Sequence, residues 1–142
     1  MGLVMRTLKL IGAALALMLV TSSGALAAIV AKIDISSQTM HVYVNGTLTY
    51  TWSVSTAKRG YATPRGSYRP TALKRMHYST RYHGSPMPHS VFFRGGYAIH
   101  GTGYVSQLGR PASHGCVRLH PSNAATLFSL IQRHGSGNTR IQ

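Results

Sequence analysis

Apolar and polar side chains alternate along residues 39–54, and this pattern constrains the fold more than any other feature of the chain. Alternation with a period of two is typical of β-strands that bury one face. The dipeptide Asn45-Gly46 interrupts the pattern, and Asn-Gly is the strongest short-range signal for a two-residue hairpin turn. The sequence therefore predicts two antiparallel strands, with Tyr50 and Trp52 in the core.

The remaining predicted elements are shorter, and only one of them is a helix. Short strands are predicted at residues 32–36, 91–93, 97–100 and 139–141. Residues 121–134 predict an amphipathic helix, because a proline begins the segment, apolar residues recur at helical spacing, and a glycine follows its end. The predicted fold class is therefore mainly β, with one substantial α-helix.

The first 27 residues predict an export signal rather than a part of the fold. Two basic residues precede an apolar run at residues 10–20, and residues 25–27 give the small-x-small pattern of a cleavage site. The alternative, a membrane anchor, would need about 20 apolar residues. We therefore expect a signal peptide at residues 1–27 and one folded domain at residues 28–142. The protein would be exported to the periplasm or cell wall, with no integral membrane segment left after cleavage.

The charge of the chain is one-sided. After residue 27 it keeps 13 of its 15 basic residues, and Asp34 is the single acidic residue. Such an excess of positive charge favours an anionic partner. Nucleic acid is one such partner, but the export signal and the lack of a nucleic-acid-binding motif argue against it. The carboxylates and phosphates of a bacterial wall are the partners that an exported protein would meet.

Residues 57–84 combine basic residues, tyrosines and glycines. They hold seven of the basic residues, with a turn signal at residues 63–66. This composition is typical either of a solvated surface or of a groove for an extended, carboxylate-bearing peptide. Three histidines in and after this region have irregular spacing and no acidic partner, so no metal site is predicted at His77, His83 and His89.

Cys116 is the only cysteine of the chain and follows a serine, a histidine and a glycine. A single cysteine cannot form an internal disulfide in an exported protein, which favours a reactive thiol. His100, which ends a predicted strand sixteen residues earlier, is the candidate general base. A free thiol with a pKa of about 8.5 is mostly protonated at neutral pH. We therefore expect a nearby imidazolium to lower the pKa of Cys116.

The alternative is that Cys116 is a small buried hydrophobe and His100 an ordinary structural residue. Glycine and polar neighbours, with a cation at Arg118, favour a site of chemistry instead. In an extended segment Arg118 shares the face of Cys116, where it would hold a substrate carboxylate or a developing oxyanion. With one acid in the chain, a carboxylate is not expected to orient His100; a backbone carbonyl or Ser113 would do so.

Two segments resemble the signature of a known family, the L,D-transpeptidase (YkuD-type) catalytic domain. They are Ile99-His100-Gly101-Thr102 and Ser113-His114-Gly115-Cys116-Val117-Arg118-Leu119. Further matches lie at residues 42–46, 53–56, 62–66, 87–88 and 96–98. The resemblance implies a compact β-sandwich or barrel-like domain with its helix after the catalytic cysteine. The chain departs from the pattern at Arg118, where many members carry asparagine.

The resemblance also implies roles for single residues. Cys116 is the expected nucleophile, and His100 the expected proton donor and acceptor. The residues expected to support the site or form the oxyanion hole are Ser113, His114 and Gly115. The residues expected to bind substrate are Arg118, Tyr97, Gly101 and Thr102. No cofactor and no metal ion is expected.

By the same resemblance, the substrate is a tetrapeptide stem of peptidoglycan. Cys116 would attack the carbonyl of the third residue, a diamino acid, and release D-alanine with formation of a thioester. The side-chain amine of a neighbouring stem's diamino acid would resolve the thioester, which gives a 3-3 cross-link. Carbapenems would acylate the same thiol. We expect a monomer.

Three alternatives stay open at this point. A lysine of an outer-membrane protein as acyl acceptor would make the chain a protein-anchoring enzyme. Water as acceptor would make it an L,D-carboxypeptidase. A non-enzymatic wall-binding module would use only the basic surface and would not need the thiol.

Overall fold

The computed structural model describes residues 26–142. The predicted signal peptide at residues 1–27 therefore lies almost wholly outside the described residues. Among the helices of residues 26–142, none is long and apolar enough to cross a membrane.

The first sheet has four strands in the order β3-β2-β1-β8. Strands β1 (Ile29–Asp34), β2 (Thr39–Val44) and β3 (Thr47–Ser53) are antiparallel, and β8 (Thr139–Ile141) runs parallel to β1. The predicted hairpin is present at residues 45–46. Asn45 and Gly46 both have positive φ, 48° and 81°, as a primed hairpin turn requires.

The second sheet also has four strands, in the order β4-β5-β6-β7. Strands β4 (Ala72–Tyr78), β5 (Pro86–Arg94) and β6 (Tyr97–Gly101) are antiparallel, and the short β7 (Val117–Leu119) is parallel to β6. The loop between β6 and β7 contains a 3₁₀ turn, Val105–Gln107. The candidate nucleophile comes directly before β7.

Helix α1 (Pro121–His134), the single α-helix of residues 26–142, has the predicted bounds. The ring of His120 accepts a hydrogen bond from the backbone N–H of Ser122, 3.2 Å away, and so caps the first turn. One hydrophobic cluster contains side chains from α1 and from both sheets, including Ile29, Met40, Val91, Ile99, Leu127 and Ile131. The predicted mainly β fold with one substantial helix is therefore confirmed.

The second sheet differs from the prediction in two strands. Strand β4 was not predicted, because it is an edge strand whose side chains are mostly exposed or half-buried, and its sequence shows no alternation. Strand β5 begins at Pro86, whereas the prediction placed only residues 91–93 in a strand. Its two prolines pair with β4 in a part of β5 that β6 does not reach. A proline is tolerated there because the missing N–H faces no second strand.

Candidate active site

The register of β6 against β7 brings the candidate site residues together. His100 pairs with Arg118, and Ile99 pairs with Val117. Ile99 and Val117 are 1% and 0% exposed and belong to the main core. Because successive side chains alternate between the faces of a sheet, His100 and Arg118 lie on the opposite face. Cys116, two residues before Arg118, lies with them along the wall of one cavity of about 720 Å³.

A small apolar cluster supports this second face of the sheet. Met87, Phe92 and Ala98 are buried there, and Cys116 packs against them. The thiol is thus half-buried, with a carbonyl oxygen of Gly96 at 3.9 Å from Sγ. The cysteine lies at the boundary between this apolar cluster and the open cavity.

The imidazole of His100 is held in one orientation. Its Nδ1 lies 2.7 Å from the carbonyl oxygen of Gly101, and the side chain is 7% exposed. A carbonyl oxygen only accepts hydrogen bonds, so Nδ1 carries the proton and Nε2 keeps its lone pair. Of the two expected partners, a backbone carbonyl or Ser113, the structure has the backbone carbonyl.

The protonation states of the two residues differ from the expected ion pair. The pKa of His100 is lowered to about 4, mainly by burial and to a smaller extent by the charges of Arg118 and His77, against the opposing Gly101 hydrogen bond. Burial raises the pKa of the Cys116 thiol, although an Ala98 hydrogen bond and the charge of Arg118 oppose this. The expectation that an imidazolium lowers the pKa of Cys116 is therefore wrong. At neutral pH both groups are uncharged before substrate binds.

Ser113 organises the loop that presents the thiol. Its hydroxyl donates to the carbonyl oxygen of Cys116 at 2.6 Å and accepts the N–H of Gly115 at 3.1 Å. Thr63 adds a second support, because its hydroxyl donates to the carbonyl oxygen of Gly115 at 2.9 Å. Two consecutive loop residues, Gly115 and Cys116, are therefore tied to side-chain hydroxyls, which fixes the path of the backbone beside the thiol.

Gly115 is required by both conformation and space. Its φ is +133°, and a Cβ atom there would lie 2.5 Å from Tyr97 Cε1 and 3.0 Å from the carbonyl oxygen of Ala62. Tyr97 itself lines the cavity. Tyr97 therefore packs directly against the loop that carries Cys116 and also lines the cavity.

Two tyrosines hold His114. The ring of Tyr82 stacks on the imidazole at a centroid distance of 4.2 Å and an interplanar angle of 11°. The ring of Tyr61 meets it edge-on at 4.7 Å. Slight burial and the charges of Lys58 and Arg118 lower the pKa of His114, so its imidazole is neutral at pH 7.

Arg118 is held by neutral acceptors. Its Nη1 donates to Oε1 of Gln107 at 3.2 Å and to the carbonyl oxygen of Ala112 at 3.4 Å. Asp34, the only acid, lies elsewhere: its exposed carboxylate accepts hydrogen bonds from Ser36 and Ser37. The positive charge of Arg118 is therefore not neutralised by a carboxylate side chain of residues 26–142.

The remaining expected substrate-binding residues occupy different positions. Thr102 is buried and lines the cavity, where its hydroxyl accepts the N–H of Tyr104 at 3.1 Å. Gly101 packs against the helix side instead: a Cβ there would lie 3.1 Å from Pro88 Cγ and 3.2 Å from Pro121 Cα. Its carbonyl group, which orients His100, is its link to the site.

The basic, tyrosine-rich residues 57–84 divide between two cavities. Arg81 and Tyr82 line the cavity that holds Cys116. Arg65 and Tyr68 line a separate cavity of about 590 Å³ beside β1 and β2. One continuous groove is therefore not formed by this segment. Among residues 26–142, no group of three or more histidines, cysteines or acids lies together as a metal site would require.

Sequence reasoning missed the roles of Thr63 and Gln107. Thr63 had a signal, since it begins the Pro64-Arg65-Gly66 turn, but nothing local indicates that its hydroxyl reaches Gly115, 52 residues away. Gln107 had no signal, because its contact with Arg118 depends on the path of the loop between β6 and β7.

Comparison with known proteins agrees with this geometry. A sequence model of the L,D-transpeptidase catalytic domain (YkuD) matches residues 28–140. A solved L,D-transpeptidase from Stackebrandtia nassauensis is 27% identical, with a TM-score of 0.72 over 83% of this chain and 56% of that chain. One from Xylanimonas cellulosilytica is 29% identical, with a TM-score of 0.69 over 83% and 61% of the two chains.

A third solved structure contains a β-lactam. It is the L,D-transpeptidase LdtMt1 in complex with imipenem, 25% identical, with a TM-score of 0.72 over 81% of this chain and 58% of that chain. The chain thus spans 56 to 61% of the length of these three structures. A comparison with curated protein sequences gives no significant match.

Proposed function

Because the chain belongs to the L,D-transpeptidase catalytic domain family, we propose that it is a peptidoglycan L,D-transpeptidase with Cys116 as its nucleophile. The observation that carries the proposal is the position of Cys116, His100 and Arg118 on one face of the second sheet, along one cavity. A thiol, an oriented neutral imidazole and an unneutralised cation are the groups that acyl transfer to and from a carboxylate-bearing peptide needs.

The first half-reaction forms the acyl-enzyme. As Cys116 Sγ attacks the carbonyl carbon of the third stem residue, Nε2 of His100 takes the thiol proton. The tetrahedral intermediate collapses, the C–N bond to D-alanine breaks, and the imidazolium returns its proton to the leaving amine. The products are a thioester on Cys116 and free D-alanine. Because both groups start uncharged, the thiolate forms only when His100 takes the thiol proton.

The second half-reaction reverses the roles. An acceptor amine attacks the thioester carbonyl, gives its proton to His100, and the C–S bond breaks as the thiolate is protonated again. The N–H of Gly115 is already bonded to Ser113. We therefore assign the oxyanion hole of both steps to the neighbouring N–H groups of His114 and Cys116.

The charge of the cavity favours one acyl acceptor over the others. Arg118 and Arg81 line it, and no aspartate or glutamate of residues 26–142 does. An amine that carries a carboxylate on the same carbon, as a stem diamino acid does, is attracted there more than a protein lysine without one. We propose the stem amine as acceptor, with a 3-3 cross-link as product; a protein lysine or water is the alternative.

We propose the same thiol as the target of carbapenems. The imipenem complex of LdtMt1, whose fold this chain shares, supports the proposal. Cys116 would attack a strained β-lactam carbonyl in the same way as the stem carbonyl. The resulting acyl-enzyme forms without an acceptor amine.

We further propose that residues 1–27 form an export signal and residues 28–142 the catalytic domain, which acts as a monomer on the wall. The basic and apolar pattern of the first residues supports export. The family match, which begins at residue 28, supports the domain boundary.

The test is mass spectrometry of the chain from residue 28, incubated with disaccharide-tetrapeptide stems. Wild-type protein is expected to give 3-3 linked dimers and free D-alanine, and Cys116→Ala to give neither. D-alanine without dimers would replace the stem acceptor with water or a protein lysine. Stems bound without any turnover by wild-type protein would contradict the transpeptidase and favour the binding module.

A further inference from the structure

The loop between β6 and β7 holds one side chain whose position the proposed reaction does not explain. Gln107 ends the 3₁₀ turn of that loop, is half-buried, and directs Oε1 at Nη1 of Arg118, 3.2 Å away. It does not line the cavity that holds Cys116. Its side chain therefore reaches the site through a hydrogen bond to Arg118.

The loop that carries Gln107 is fixed at several points to the chain after β3. The N–H of Gly109 donates to the carbonyl oxygen of Val54 at 2.8 Å, and the hydroxyl of Ser55 donates to that of Arg110 at 2.7 Å. Before the turn, the N–H of Thr102 donates to the carbonyl oxygen of Leu119 at 2.9 Å. The turn is therefore anchored on both sides, which restricts its movement. The amide of Gln107 is thus a fixed acceptor rather than a mobile surface group.

An amide differs from a carboxylate at this position in one respect, its charge. A carboxylate would accept the same hydrogen bond but would also form an ion pair and neutralise the guanidinium. Oε1 of Gln107 and the carbonyl oxygen of Ala112 orient Arg118 without cancelling its charge. That charge acts on both reacting groups, since it lowers the pKa of His100 and of Cys116.

We propose that Gln107 is a positioning residue that holds the Arg118 guanidinium at the cavity wall while leaving its positive charge available to a substrate carboxylate. The role of Gln107 in substrate binding rests on the proposed function. Its effect on the charge beside the thiol is a property of the free protein and is independent of that function. Gln107→Glu tests both, and Gln107→Ala separates orientation from charge.

The first measurement is the rate at which iodoacetamide alkylates Cys116 at pH 8. Gln107→Glu is expected to slow alkylation about threefold or more. The new carboxylate offsets the charge of Arg118, and a rise of about half a unit in the pKa of Cys116 reduces the thiolate fraction about threefold. Gln107→Ala keeps the charge and should change the rate by less than twofold. The matched control is Gln132→Glu, the same charge change on the exposed side of α1.

The second measurement is steady-state cross-linking of stems. Gln107→Glu is expected to raise the apparent KM about tenfold or more through loss of a charge-assisted contact, with a smaller rise for Gln107→Ala. If the variants change alkylation as expected but wild-type protein does not cross-link stems, the proposed function is rejected. The role of Gln107 in keeping Arg118 charged beside the thiol is then retained. Unchanged alkylation in Gln107→Glu, with normal cross-linking, would overturn the role of Gln107 itself.

A double-mutant cycle excludes a purely structural effect. In an Arg118→Gln background, Gln107→Ala should have no further effect on KM, because an uncharged side chain at position 107 acts only through Arg118. A full effect in that background would overturn the proposal. Thermal unfolding of each variant should stay within a few degrees of wild type, and a large loss in Gln107→Ala would assign the residue to stability instead.

Discussion

The two faces of the second sheet use the same strands for different purposes. On one face, Ile99 and Val117 are fully buried in the core that both sheets and α1 share. On the other face, the directly adjacent His100 and Arg118 border a cavity and a cluster of only three buried residues. Neighbouring residues of β6 and β7 therefore alternate between the buried core, which stabilises the fold, and the cavity that holds the candidate catalytic groups. Strand alternation holds reactive side chains rigidly without making them part of the core.

The largest expected effect comes from the cavity face. His100→Ala is expected to lower kcat about 10²- to 10⁴-fold, because it removes the group that takes the thiol proton. Stem cross-linking, measured by chromatography with saturating substrate, checks the prediction. A variant that keeps more than a tenth of wild-type kcat would show that water or another group serves as base and that the two faces are less distinct than proposed.

The neighbouring residue should have the opposite effect. Ile99→Ala is expected to cost about 2–5 kcal/mol of unfolding free energy, since it leaves a cavity in the main core. The melting temperature should fall by about 10 °C or more, while kcat per folded molecule at 25 °C stays within about threefold of wild type. Urea denaturation and kinetics on the same sample measure both. Equal losses of activity in Ile99→Ala and His100→Ala would contradict the separation of the faces.

The elements of the fold also differ in how well the sequence predicts them. The hairpin at residues 45–46 and helix α1 follow from local patterns, namely a turn dipeptide and a periodic apolar stripe, and both are confirmed. Strand β4 does not, because its side chains are largely exposed and its pairing with β5 is what makes it a strand. Hydrophobic periodicity in a sequence arises from the burial of one face of a strand. An edge strand that buries little of its surface shows little periodicity.

The candidate site shows the same limit. Spacing and composition single out Cys116 and His100, but the protonation states depend on burial that no local pattern records. A sequence shows that an imidazole is available; it does not show that the surrounding structure desolvates the ring and places Arg118 beside it. The contact of Gln107 with Arg118 is likewise set by the fold.

The buried imidazole predicts a pH dependence of stability. The pKa of His100 is about 4 in the folded protein and 6.5 when unperturbed. Between these values the unfolded chain binds more protons than the folded one, so stability falls as pH decreases from 6.5 to 4 and is constant with respect to this group above 6.5. The expected loss is about 3 kcal/mol by pH 4.

Urea unfolding at pH 7 and pH 4 measures this loss, with His100→Gln as the control that lacks the titrating ring. The difference between the two proteins reports the contribution of the His100 ring. The variant should lose about 3 kcal/mol less than wild type over the same range. Identical losses would show that His100 is solvated enough to protonate in the folded state.

The smallest predicted effect concerns the aromatic contact above the cavity face. The ring of Tyr82 stacks on His114 at 4.2 Å, and His114 belongs to the loop that presents the thiol. An aromatic pair contributes about 0.5–1.5 kcal/mol beyond burial. Tyr82→Ala is therefore expected to lower kcat/KM about two- to tenfold, with Tyr82→Phe close to wild type because the ring is kept. Tyr78→Ala is the control, since Tyr78 is 60% exposed and does not line the cavity.

If Tyr82→Phe lost as much activity as Tyr82→Ala, the hydroxyl rather than the stack would be the contribution of Tyr82. The cavity face would then depend on a polar contact with substrate, and not on aromatic packing of its own loop.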